Sequence, residues 1–101
     1  MVDHYTRAAE SAKVAMELVR GDRRETHGDF KHNFAAIASL WNGYFQARSG
    51  GLITAEDVAH MMVLLKIART LRGAHNNDDY VDAIGYAMIA AGLAKPTEPN
   101  N

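Results

Sequence analysis

Two cations and two carboxylates offer the clearest chemistry in this sequence. Lys66 and Arg69 are three residues apart, and so are Asp79 and Asp82, with Tyr86 one turn beyond the second aspartate. On a helix, a spacing of three places both members of a pair along one line of the surface. If the two helices face each other, the charges meet at one site suited to a phosphate-bearing ligand, with or without a metal ion. Lys66 and Arg69 are the candidates to hold phosphate, Asp79 and Asp82 to hold a metal, and Lys66 and Asp82 are the candidate catalytic residues. These residues alone name no reaction.

A second polar stretch, DRRETHGDFKHN from Asp22 to Asn33, supplies further oxygen and nitrogen donors. Glu25 and Asp29 are candidate additions to a metal site, and Asn33 is a candidate ligand contact. Gly28 lets the backbone turn sharply. The plainer reading is an exposed connector in which Asp29 caps the next helix. His27 and His32 are five apart, which is not the spacing of a helical zinc pair. Trp41 and Tyr86 are the flat surfaces available to a nucleotide base. No cysteine is present, which removes disulfides, thiolate metal sites and cysteine nucleophiles. Ser39 and Ser49 lie in a helix and at its end, without a nucleophile motif.

Four helices must position these groups. From His4 to about Arg20, Ala8, Ala12, Ala15, Met16 and Val19 recur at helical spacing and predict an ordinary packing helix stopped by Gly21. Met1 to Asp3 are expected to fray. Phe30, Phe34, Ile37, Ala38, Trp41, Tyr44 and Phe45 predict a second helix reaching about Arg48, whose aromatic stripe is expected in the core or a dimer interface. Ser49, Gly50 and Gly51 form a loop. Thr54 with Asp57 reads as a capping box opening a third helix, whose expected buried face is Val58, Met61, Met62, Leu65, Ala68 and Leu71. The fourth helix is expected from about Asp78 to Leu93, with its small residues Ala83, Gly85, Ala87, Ala90 and Ala91 allowing close approach of another helix. Residues 1–94 thus read as a single helical domain, and 95–101, with both prolines, as a disordered tail.

Length and charge narrow the classes. A chain of 101 residues has a modest core, so a homodimer or higher homo-oligomer is the expected state. A formal net charge of −1 gives no general attraction for DNA or RNA. No apolar run approaches the roughly 20 residues that span a bilayer, and the amino terminus lacks the zones of a secretory signal. The expected compartment is the cytoplasm, that of the host if a phage encodes the chain.

The combination of ETHGDF and Asn33, then MMVLLKIAR, then DDYVDAIGYA resembles a family of small helical phage and prophage proteins of unknown function, over Glu25 to Ala91. More remotely, the last motif is similar to the MazG and dUTPase-type all-helical nucleoside triphosphate pyrophosphohydrolases. That resemblance implies a four-helix MazG-like bundle in which carboxylates from two helices hold magnesium across the phosphates while water attacks. Asp79, Asp82 and Tyr86 match its acidic helix. The further acidic cluster of those enzymes, EExxE in form, has no counterpart here, where the corresponding place carries Lys66. A lysine repels a metal and attracts phosphate, or neutralises Asp82.

Three readings follow. The chain is a magnesium-dependent pyrophosphohydrolase using Glu25, Asp29, Asp79 and Asp82 for the metal. Or it is a non-catalytic binder that sequesters a nucleotide, in the manner of an anti-defence protein. Or it is a structural helical oligomer in which Lys66 and Asp82 form a buried salt bridge.

Overall fold

The computed structural model describes residues 3–21, 30–71 and 73–96. Four α-helices account for the regular structure of these residues: α1 (His4–Arg20), α2 (Phe30–Arg48), α3 (Ala55–Thr70) and α4 (Asn77–Leu93). Each described start has a local chemical cause. Asp3, rather than fraying, caps α1 by accepting from the Thr6 backbone N–H at 2.8 Å. Thr54 and Asp57 form the reciprocal capping box of α3, and Asn76 accepts from the Asp78 N–H at the start of α4. After α2 the backbone takes positive φ at Ser49, Gly50 and Gly51, and the two glycines carry this left-handed run without strain.

The core is a seam of three helices. α3 packs along α4, and on another side against α2. Arg69 meets Asp79 while Lys66 meets Asp82, so α3 and α4 run antiparallel. The buried apolar residues are Ile37 of α2, Ala59 and Ala68 of α3, and Ala90 of α4. Alanines at the contacts let the backbones approach closely, and none of the described large side chains is fully buried.

Three expectations change against this arrangement. α1 forms over the predicted residues, yet none of them is buried, so within the single chain its stripe does not pack as predicted. The aromatic stripe of α2 is divided: Trp41, Tyr44 and Phe45 are half-buried beside α3, whereas Phe30 and Phe34, at the far end, are exposed. On α3, Val58 and Leu71 are exposed because they lie at the helix ends, beyond the neighbours that cover its middle. A helix flanked on two sides also spreads its apolar contacts around its circumference, so Met61, Met62 and Leu65 are only half-buried. No described helix is long and apolar enough to cross a membrane.

Candidate functional site

The four charges singled out by spacing converge on the α3–α4 seam. Lys66 Nζ stands 3.0 Å from Asp82 Oδ2, and Arg69 Nε stands 3.1 Å from Asp79 Oδ1. Antiparallel packing causes the pairing, because moving back one turn along α3 moves forward one turn along α4. The result is a two-rung ladder of ion pairs.

Burial differs between the rungs. Asp79 is 3% exposed, whereas the Asp82 side chain is 47% exposed and its partner Lys66 only 13%. Asp79 also lies in the first turn of α4, where the helix dipole favours a carboxylate. One rung is therefore closed, and the other opens to water on its acidic side. Tyr86 shares the aspartates' side of α4 by register and is half-buried.

The remaining candidates fall elsewhere or have other tasks. The Trp41 indole N–H donates to the Met61 carbonyl at 2.9 Å, tying α2 to α3. Asn33 is buried in the first turn of α2. Glu25 and Asp29 lie outside the described residues. Magnesium, implied by the remoter resemblance, needs several oxygen donors in near-octahedral geometry. Asp79 and Asp82 each face a cation, and the described residues contain no cluster of three or more His, Asp or Glu side chains placed to hold a metal ion. The described donor set thus does not fit the ion.

A second polar cluster joins α2 to α3. Asp57, buried, accepts at Oδ1 from the Tyr44 hydroxyl at 2.5 Å and from Arg48 Nε at 3.0 Å. Its Oδ2 accepts from the Thr54 N–H and hydroxyl at 2.8 and 2.9 Å, and Arg48 Nη2 lies 2.8 Å from the same oxygen. The Tyr44 hydroxyl, then the Thr54 backbone N–H, hold Asp57 well below the usual carboxylate range. Burial, and then the hydrogen bond to Asp57, push the Tyr44 phenol up to about 12. His60 Nδ1 sits 2.9 Å from the Tyr44 oxygen, and His60 Nε2 is 3.5 Å from Glu56. Since the Tyr44 proton goes to Asp57, the contact with His60 requires a proton on Nδ1.

This cluster borders an open cleft of about 460 Å³, with Tyr44, Glu56 and His60 on its polar edge and Val63, Leu64 and Ala90 among its apolar walls. Glu56, His60 and Val63 follow one stripe of α3, whereas Lys66 and Arg69 lie on another, so cleft and ladder are separate. Sequence reasoning assigned Asp57 only its capping role and passed over Tyr44, Arg48 and His60 as polar residues. The i, i+4 spacing of Glu56 and His60 and the cation ending α2 were the available signals.

A family model described as a domain of unknown function, DUF6378, matches residues 11–94. The Gene 55 protein of Mycobacterium phage L5 is 40% identical over 85 residues, which cover 84% of this chain and 53% of that protein. The Gene 55 protein of Mycobacterium phage D29 is 37% identical over 73 residues, covering 72% and 46% respectively. The chain thus spans about half the length of the curated relatives it matches. No solved structure matches.

Proposed function

We propose that this chain, which belongs to the DUF6378 family, is a MazG-like helical protein that binds a nucleotide or another phosphate-bearing small molecule at the α3–α4 ladder, without hydrolysing it. The observation that supports the reading is the ladder itself. Well-packed apolar residues would hold α3 to α4 at least as firmly, since replacing a buried ion pair in this way is neutral or stabilising by roughly 1–4 kcal/mol. Two neighbouring pairs, one nearly closed to water and one open at Asp82, on a seam whose buried apolar residues are alanines, are more than packing requires.

In this reading Lys66 and Arg69 are the phosphate partners. Asp82, half in water, is the carboxylate that an incoming phosphate displaces from Lys66, and Asp79 holds Arg69 in position. Tyr86 lies on the same side and offers a surface to a base. The phage relatives suit a setting in the host cytoplasm. Magnesium-dependent pyrophosphate release, which would draw on Glu25 and Asp29 as well, is the catalytic alternative. A structural role with no small-molecule ligand is favoured by a different observation: each rung is already neutralised within the molecule.

A thermal-shift screen against nucleotides, cyclic nucleotides and inorganic phosphate, with and without magnesium, tests the proposal. A ligand that binds only the native state raises its melting temperature by mass action. The expected result is stabilisation by a phosphate-bearing compound without magnesium, lost in Lys66→Ala, with no pyrophosphate released. Magnesium-dependent turnover that is lost in Asp79→Asn would replace the binder with the enzyme. No shift with any compound would leave the structural role.

A further inference from the structure

We propose that a second copy of this chain covers the outer face of α4, with α1 of each protomer laid along α4 of the other. The inference is independent of the ligand reading. α4 is apolar on two opposite sides. Ala83, Tyr86 and Ala90 face α3, while Val81, Ile84 and Met88 form an outer stripe at spacings of three and four and are 54%, 62% and 69% exposed. A helix that is apolar around its circumference belongs inside a larger bundle.

α1 has the matching deficit. Tyr5, Ala12, Met16 and Val19 share one stripe, Glu10, Lys13 and Glu17 lie on the opposite side, and no residue of the helix is buried. An isolated helix of this length is marginal in water, so its apolar stripe needs a surface. α4 carries an apolar stripe with no described helix on it, and the two helices match in length, with 17 residues or about 25 Å each. The small side chains of Ala8, Ala12 and Ala15 leave room for Val81, Ile84 and Met88, so one contact satisfies both faces. A reciprocal exchange closes about a two-fold axis, which limits the assembly to two chains.

The surface area points the same way. The chain exposes 8003 Å², whereas a folded monomer of its 11.1 kDa mass exposes about 5,700 Å². The excess over the whole chain, roughly 2,300 Å², is an upper bound on what pairing covers, and each protomer of an obligate dimer buries about 1,000 to 2,500 Å². The radius of gyration of 17.8 Å likewise exceeds the roughly 13 Å of a compact chain of this length. A net charge of −1 sets no barrier to pairing.

Sedimentation equilibrium on the full chain should give twice the 11.1 kDa chain mass. Ile84→Glu on α4 and Ala12→Glu on α1 should each weaken association at least tenfold. Should Ile84→Glu fail to fold, thiol labelling decides, because the chain has no cysteine of its own. Met88→Cys should label at least tenfold more slowly in the dimer than after dilution below the dissociation constant. Leu52→Cys, at a position 92% exposed in the loop before α3, should label equally fast at both concentrations. A monomer at all concentrations would overturn the proposal, whether Met88→Cys is protected or not. So would a dimer that survives both glutamate substitutions.

Discussion

The two polar clusters of this molecule share helix α3 and are built on opposite plans. Around Asp57 everything converges on one carboxylate: a phenol, a guanidinium, a backbone N–H and a hydroxyl all donate to it. On the ladder, the two carboxylates each meet one cation, and one of those carboxylates is half in water. A carboxylate enclosed by donors is part of folding, since removing it orphans several groups at once. A carboxylate with one cation and an open side can yield that cation to another anion. The difference therefore separates a structural knot from a candidate site on the same helix.

The first way to break this comparison is at the closed rung, where the largest effect is expected. Asp79→Ala removes the carboxylate of the more buried pair, and breaking a buried pair costs about 3 kcal/mol. Denaturant melts should show a lower midpoint at unchanged slope. A loss as small as that of an exposed pair would mean that the rung is no more closed than its neighbour.

Next comes the knot. Tyr44→Phe removes a hydrogen bond to a charged acceptor and should cost about 2 kcal/mol. It should also alter the acid limb of stability. In the unfolded chain Asp57 takes up its proton near pH 3.9, whereas in the fold its pKa is depressed. The unfolded state binds the proton first, so the stability present above about pH 4 is lost as pH falls toward the folded value. Urea melts between about pH 2 and 5 should show a shallower decline for Tyr44→Phe than for the parent chain. A smaller loss, about 1 kcal/mol, is expected for Thr54→Ala, which removes the acceptor for the Asp57 backbone N–H at the α3 cap.

Local chemistry was legible in the sequence, and the relations between helices were less so. The helix ends were readable because each carries its own marker: Gly21 after α1, the glycine pair after α2, and Thr54 with Asp57 before α3. The ladder was readable because two spacings of three on facing helices leave few alternatives. The knot was missed because Tyr44 and Arg48 lie 13 and 9 residues before Asp57, across a loop. Asp57 already had a sufficient local explanation as a cap. The position of α1 was also hidden, since an amphipathic stripe states that a surface is needed without stating whose. The likeness to a phage family of unknown function rested on three motifs distributed along the chain, and the family match and the mycobacteriophage relatives bear it out.

Asp82→Ala is the mildest substitution for the fold and the sharpest for the site. Its carboxylate is 47% exposed, so losing the pair should cost less than about 1 kcal/mol. The effect on a ligand depends on what the carboxylate does. If Lys66 holds phosphate, Asp82 competes with the ligand for that cation, and its removal should tighten binding of inorganic phosphate or a nucleotide, measured by calorimetry. If Asp82 belongs to a metal site, the same change should abolish magnesium-dependent binding instead. If the pair only fixes the register of α3 on α4, the substitution should lower the melting temperature without altering any ligand response. A gain in phosphate affinity with nearly unchanged stability is the outcome that separates the open rung from the knot around Asp57, where every partner removed should weaken the fold.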